Sequence, residues 1–208
     1  MKWILHLLLL ATFFEIISCQ SNSSKEKVAS SSDSTMIPAP GTDPDPTDSI
    51  PASGYDPATA DFKAAFVIKK ALKNTILAKD ISAIPADQRK FKYQAFDLNN
   101  DSLPEYFVAM VGSYYCGKEG CTAYLLDNSG GLLNTFPSIE FPIYAAFSTT
   151  KGWQDLILKS NRRLYLLKVK DGKYPSNPAA APVFKGKPKK RGTEVLDLKA
   201  APYPAFTF

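Results

Sequence analysis

The stretch from Asp97 to Glu105 reads DLNNDSLPE and runs straight into the apolar YFVAMV. Its acids and amide, Asp97, Asn99, Asp101 and Glu105, fall at alternate positions leading up to a strand. Oxygen donors at that spacing can converge on a hard cation. The same residues can instead make a polar turn, with Asp and Asn bonding their own backbone. A second chemical group lies just downstream in YYCGKEGCTAY, where Cys116 and Cys121 are separated by four residues, two of them glycine.

Cysteine and histidine usage narrows the chemistry further. Of three cysteines, Cys19 follows an apolar leader, so Cys116 and Cys121 are left as a pair. In an oxidising compartment such a pair predicts a disulfide. Closing so short a loop contributes only about 2 kcal/mol, so its role would be to fix a local shape. A redox-active pair is the alternative, but that chemistry favours two intervening residues and a strand-helix setting. The single histidine, His6, lies in the leader. A chain cut after it has no histidine, which excludes Ser-His-Asp and Cys-His catalysis and His-ligated zinc. No catalytic residue is assigned. The competing enzymatic reading is a glycan hydrolase with paired carboxylates drawn from Asp97, Asp101, Glu105, Glu119, Asp127 and Asp155, although no spacing marks a pair.

FDLNNDSLPEYFV resembles the DxNxDGxxD loop of FG-GAP and VCBS-type repeats. Together with YYCGKEGC, KGWQDLIL and DGKYPSNP, in that order over roughly Arg89 to Pro178, it resembles a group of uncharacterised bacterial envelope lipoproteins and secreted proteins. The resemblance implies a calcium loop ligated by the side chains of Asp97, Asn99, Asp101 and Glu105 and by the carbonyl of Leu103. It brings no established biochemical activity. Two loop positions depart from the pattern, because Asn100 and Ser102 replace glycines. Asn adopts a left-handed backbone readily and Ser less so. Val108 at the twelfth position excludes an EF-hand.

The elements that must position these groups begin with MKWILHLLLLATFFEIISC. A lysine, an apolar centre and a small residue before cysteine outline a secretory signal over 1–18. IISC resembles the lipobox of bacterial lipoproteins, which implies a lipid on Cys19 as first mature residue. A membrane span is disfavoured, since 16 residues separate Lys2 from Cys19 and Glu15 interrupts them, short of the roughly 20 a span needs. Gln20, in place of an aspartate after the cysteine, predicts the outer membrane on the pattern of enteric lipoproteins. Residues 19–56 are rich in Ser, Pro, Asp and Thr, the composition of a disordered tether.

Residues 57–208 are of ordinary size for one domain. TADFKAAFVIKKALKNTILAKDI places Phe62, Phe66, Ile68 or Lys69, Leu72, Ile76 and Leu77 near one face of an amphipathic helix, with lysines opposite. Seven apolar runs, KYQAF, EYFVAMV, TAYLLD, LLNTF, EFPIYAAFS, DLILKS and RLYLLKV, then alternate with turn clusters such as DNSGG, TTKGW, KSNRR and KDGK, where hairpins would close. The predicted class is α+β, an N-terminal helix packed on an antiparallel meander. This domain holds 22 Lys and Arg against 13 Asp and Glu, a net of +9. A basic, lipid-anchored envelope protein suits an anionic envelope component or an acidic protein, and nucleic acid is not expected as a partner. Lys185 to Arg191, KGKPKKR, reads as a solvated loop.

Overall fold

Seven runs with strand character between residues 90 and 167 account for the centre of the molecule. The computed structural model describes residues 37–188 and 194–208. The leader, Cys19, residues 20–36 and the end of the basic run lie outside the described residues. The strands are β1 (Lys90–Phe96), β2 (Glu105–Val111), β3 (Cys116–Gly117), β4 (Gly120–Leu126), β5 (Leu132–Thr150), β6 (Trp153–Ser160), β7 (Arg163–Leu167), β8 (Glu194–Leu196) and β9 (Phe206–Thr207). They pair antiparallel in the order β7-β6-β5-β4-β2-β1-β9, with β3 on β4 and β8 on β5. The protein is therefore mostly an antiparallel sheet with few helices.

Two of the hairpins close on residues with left-handed backbone. Lys151 and Gly152 join β5 to β6, and Asn161 and Arg162 join β6 to β7. Paired positive φ values at a two-residue loop match the twist of the strands it joins. Arg162 is held there by its backbone N–H, which donates to Glu140 Oε1 at 3.0 Å.

Because side chains alternate along a strand, β2 serves two cores at once. Phe107 and Ala109 join Leu125, Phe136, Leu156 and Leu158 on one face. Tyr106, Val108 and Met110 face the other, with Phe91, Tyr93 and the helix α2 (Phe62–Ala71), which follows the single turn α1 (Pro57–Ala60). An unbroken apolar run is what a strand covered on both sides requires.

Asp61 caps α2 by accepting the Lys63 N–H at 2.9 Å, and the helix continues through a wider turn over Leu72–Ile76. Its buried stripe is Ala64, Ala65, Ile68, Ala71 and Leu72. Phe66, expected inward, is 41% exposed. The reason is the small residues: the alanines form the contact face, and Phe66 lies on the helix flank.

Two further differences from the sequence reading concern boundaries. LLNTF and EFPIYAAFS, read as separate runs, are one 19-residue strand, β5. It pairs with β4 in its first half and with β6 and β8 in its second, and it changes register beside Pro142, whose peptide bond to Phe141 is cis. Proline cannot donate to a ladder, so it sits where pairing shifts. Residues 37–56, expected to be tether, have a defined path. Asp43, Asp45, Asp48 and Asp56 each accept a backbone N–H two residues on. Tyr55 is buried and its hydroxyl donates to Asp48. Such turns, together with the burial of Pro44 and Tyr55, order a segment whose composition is mostly polar.

Ile68→Ala should cost about 2 to 4 kcal/mol in urea unfolding, as a fully buried aliphatic at a close helix-sheet contact. Phe66→Ala should cost under about 1 kcal/mol.

Candidate functional site

Asp97 closes the connection between β1 and β2. Both its carboxylate oxygens accept backbone N–H groups of the loop, from Asn100 at 2.7 Å and Ser102 at 3.0 Å. Asn100 and Ser102 have φ values of 60° and 70°. Both non-glycine residues therefore adopt the left-handed turn that the two glycines of the resembled loop would give, and the Asp97 carboxylate ties the turn down. Asp101 accepts the Leu103 N–H at 2.7 Å, and Asn99 Oδ1 accepts the Asp101 N–H at 3.0 Å.

Three of the predicted donors converge. Asn99 Nδ2 donates to Asp101 Oδ2 at 2.9 Å and to Glu105 Oε1 at 3.4 Å. An amide N–H thus lies between two carboxylates, where partial positive charge is most favourable. A cation there would require Asn99 to turn its Oδ1 inward. Asp97 is turned to the backbone instead, and the Leu103 side chain is exposed at the loop tip. Among the described residues, no three or more Asp, Glu, His or Cys side chains are gathered closely enough to hold a metal ion by themselves. The amide of Asn99 and a backbone carbonyl would have to contribute.

Glu105 anchors the loop from below. It is 4% exposed, and its Oε2 accepts the Leu98 N–H at 2.8 Å. Burial pushes its pKa up to about 7; the Leu98 N–H opposes that, and the Asp101 and Asp97 charges add to it. Among the described residues, no Lys or Arg forms an ion pair with it.

The loop is locked to the far side of the sheet through Leu98. Its carbonyl accepts the Gln154 N–H at 2.9 Å, and the Gln154 carbonyl accepts the Tyr174 hydroxyl at 2.5 Å. DLNNDSLPE, KGWQDL and KYPSNP, separated by some 75 residues of sequence, therefore meet at one point. Asp155, the next residue, is buried opposite an expanded stretch of β5 and accepts the Ser148 hydroxyl at 2.7 Å. No sequence spacing announces this contact, which depends on strand order alone.

Cys116 and Cys121 are disulfide-bonded across the β3-β4 ribbon, directly opposite each other. Gly120 has φ 117°, and a Cβ there would come within 2.5 Å of the Ile139 carbonyl oxygen, so the ribbon lies flat on β5. The disulfide loop leaves β2 at the opposite end from Glu105 and is a separate feature.

The other carboxylates considered for hydrolysis lie elsewhere. Asp127 accepts Ser129 N, Ser129 Oγ and Gly131 N in its own turn, and Glu119 is exposed at the tip of the β3-β4 ribbon. None of the six lines the clefts of about 360, 480 and 260 Å³ found on the surface. No protein family, no curated protein and no solved structure matches this chain.

Glu105 gives a test in chelator. Its folded pKa lies above the usual carboxylate value of about 4.3, so the folded chain holds an extra proton between that value and about 7. Stability should therefore fall by about 2 kcal/mol as pH rises from 5 to 8, levelling off above the folded pKa. Glu105→Gln should flatten that part of the profile in urea titrations.

Proposed function

We propose that this chain is a non-catalytic, lipid-anchored interaction module of the bacterial envelope, carried on the outer membrane through Cys19, that binds a partner and uses Asp97–Glu105 as a calcium loop. The observation that carries the loop reading is the convergence of Asn99, Asp101 and Glu105 on one small space. It is supported by a buried carboxylate with no cationic partner among the described residues, a group that gains most from a bound cation. Calcium would supply charge neutralisation there, and its tolerance of irregular oxygen shells fits a mixed set of carboxylate, amide and carbonyl donors. The non-catalytic reading rests on the placement of the carboxylates, since a hydrolytic pair needs an open groove between its members.

In this reading the ion's role is mechanical. The β1-β2 loop is joined to β6 through Leu98 and Gln154, so an occupied loop would stiffen the join between the first and last thirds of the sheet. The disulfide ribbon at the other end displays Tyr114, which is about half exposed beside buried Tyr115.

Calcium at ten times its dissociation constant should raise stability by about 1.4 kcal/mol. For a domain of this size the melting temperature should rise by about 3 to 5 °C between chelator and millimolar calcium. Asp101→Asn keeps an acceptor for Leu103 and removes the charge, so it should erase most of the rise. Magnesium should do less, because it retains its waters. A melting temperature indifferent to calcium would reduce the loop to a turn.

A further inference from the structure

The edge of the sheet at β9 adjoins a cleft of about 360 Å³ bounded by α2 and by the arm at residues 37–47. Phe206 and Phe62 meet edge to face at 6.1 Å and make its floor. Phe66 and Ile37, 41% and 49% exposed, stand at its sides, and Lys69 and Lys90 are in its lining.

The backbone at this edge has a specific state. Phe208 N–H donates to the Arg89 carbonyl at 3.1 Å, and the register places Phe206 opposite Phe91 and Thr207 opposite Lys90. Since bonding alternates along an antiparallel ladder, Phe206 and Phe208 point their polar groups at β1, and Ala205 and Thr207 point theirs away. The outward Ala205 N–H is met by Asp45 Oδ2 at 2.8 Å. Asp45 is 6% exposed and is held by Thr47, so a carboxylate from the arm stands where a neighbouring strand would offer an oxygen. One step along, Thr207 lines the cleft, and among the described residues no second strand pairs with its outward N–H and C=O.

We infer that this cleft binds an extended acidic peptide of a partner protein, which adds to β9 beyond Asp45 and presents its carboxylates to Lys69 and Lys90. Main-chain bonds to an edge strand give such a site its affinity, and flanking pockets choose the side chains. Here the apolar side chains of the peptide would rest on Phe66 and Phe206. The helix beside an edge strand also explains why Phe66 is left on the flank of α2 and not spent in the core. The inference deepens the reading of the chain as an interaction module by naming the surface and the chemistry of its partner.

The test is a random twelve-residue peptide library displayed on phage and panned on the purified mature chain in detergent. Panning is done in chelator, so the outcome is independent of the cation loop. Clones enriched in Asp and Glu are expected, with binding weakened at least tenfold by Thr207→Pro. Proline there removes the outward N–H and no donor of the ladder to β1. Thr207→Val, which keeps the N–H, should bind as the parent does. Lys69→Glu combined with Lys90→Glu should also weaken binding at least tenfold, which keeps the test decisive if the proline variant does not fold. No enriched clones, or clones indifferent to both the proline and the double-lysine variants, would overturn the inference.

Discussion

The backbone of Leu98 is the joint on which the rest of the arrangement turns. Its N–H is held by the buried Glu105 carboxylate, its C=O by the Gln154 N–H, and its side chain is 1% exposed in the larger core. One residue therefore fixes the turn between β1 and β2, aligns it with the start of β6, and fills the space between them. A buried carboxylate is costly without a counter-charge, and Glu105 accepts that cost to hold Leu98. This is the local conflict that makes the loop a candidate for a cation and not merely a polar turn.

The sheet supports that joint by burying both faces of its centre. β2 sits between β1 and β4, with α2 on one side and the curled second half of the sheet on the other. β5 makes the curl possible, since its changes of register let one strand pair with β4 and then with β6 and β8. At the opposite edge the arm at residues 37–47 is tied to the segment leading into β9 by the bond from Ala205 N–H to Asp45. Leu98 and Asp45 thus do similar work at separate places, each tying a polar segment to the sheet by a side-chain or backbone oxygen.

What the sequence made legible was local. The run YFVAMV, the turns at Lys151–Gly152 and Asn161–Arg162, and the Cys116–Cys121 bond depend on near neighbours and on period, and these appear where residue types place them. The donors of DLNNDSLPE were visible as a set, but the division of labour among them was not. Asp97 turned to the backbone because two left-handed residues needed their N–H groups held. Long-range features were hidden for the same reason: Gln154 meets Leu98, and Asp45 meets Ala205, through strand order that no spacing encodes. Phe66 was misread because helical period identifies a face without saying how closely a partner approaches, and the alanines set that distance.

The central claim is that Asn99, Asp101 and Glu105 surround a cation site clamped to Leu98. Amide NMR during a calcium titration of the chain tests it most directly. If the claim holds, the Asn99 side-chain amide loses its bonds to Asp101 and Glu105 as its oxygen turns inward. Its resonances should then shift with saturation, together with the backbone amides of Leu98, Asn100 and Leu103, while Cys121 on the distant ribbon stays fixed. Spectra in which these amides do not move through about 10 mM calcium, well above the 0.1 to 1 mM range of extracellular sites, would contradict it.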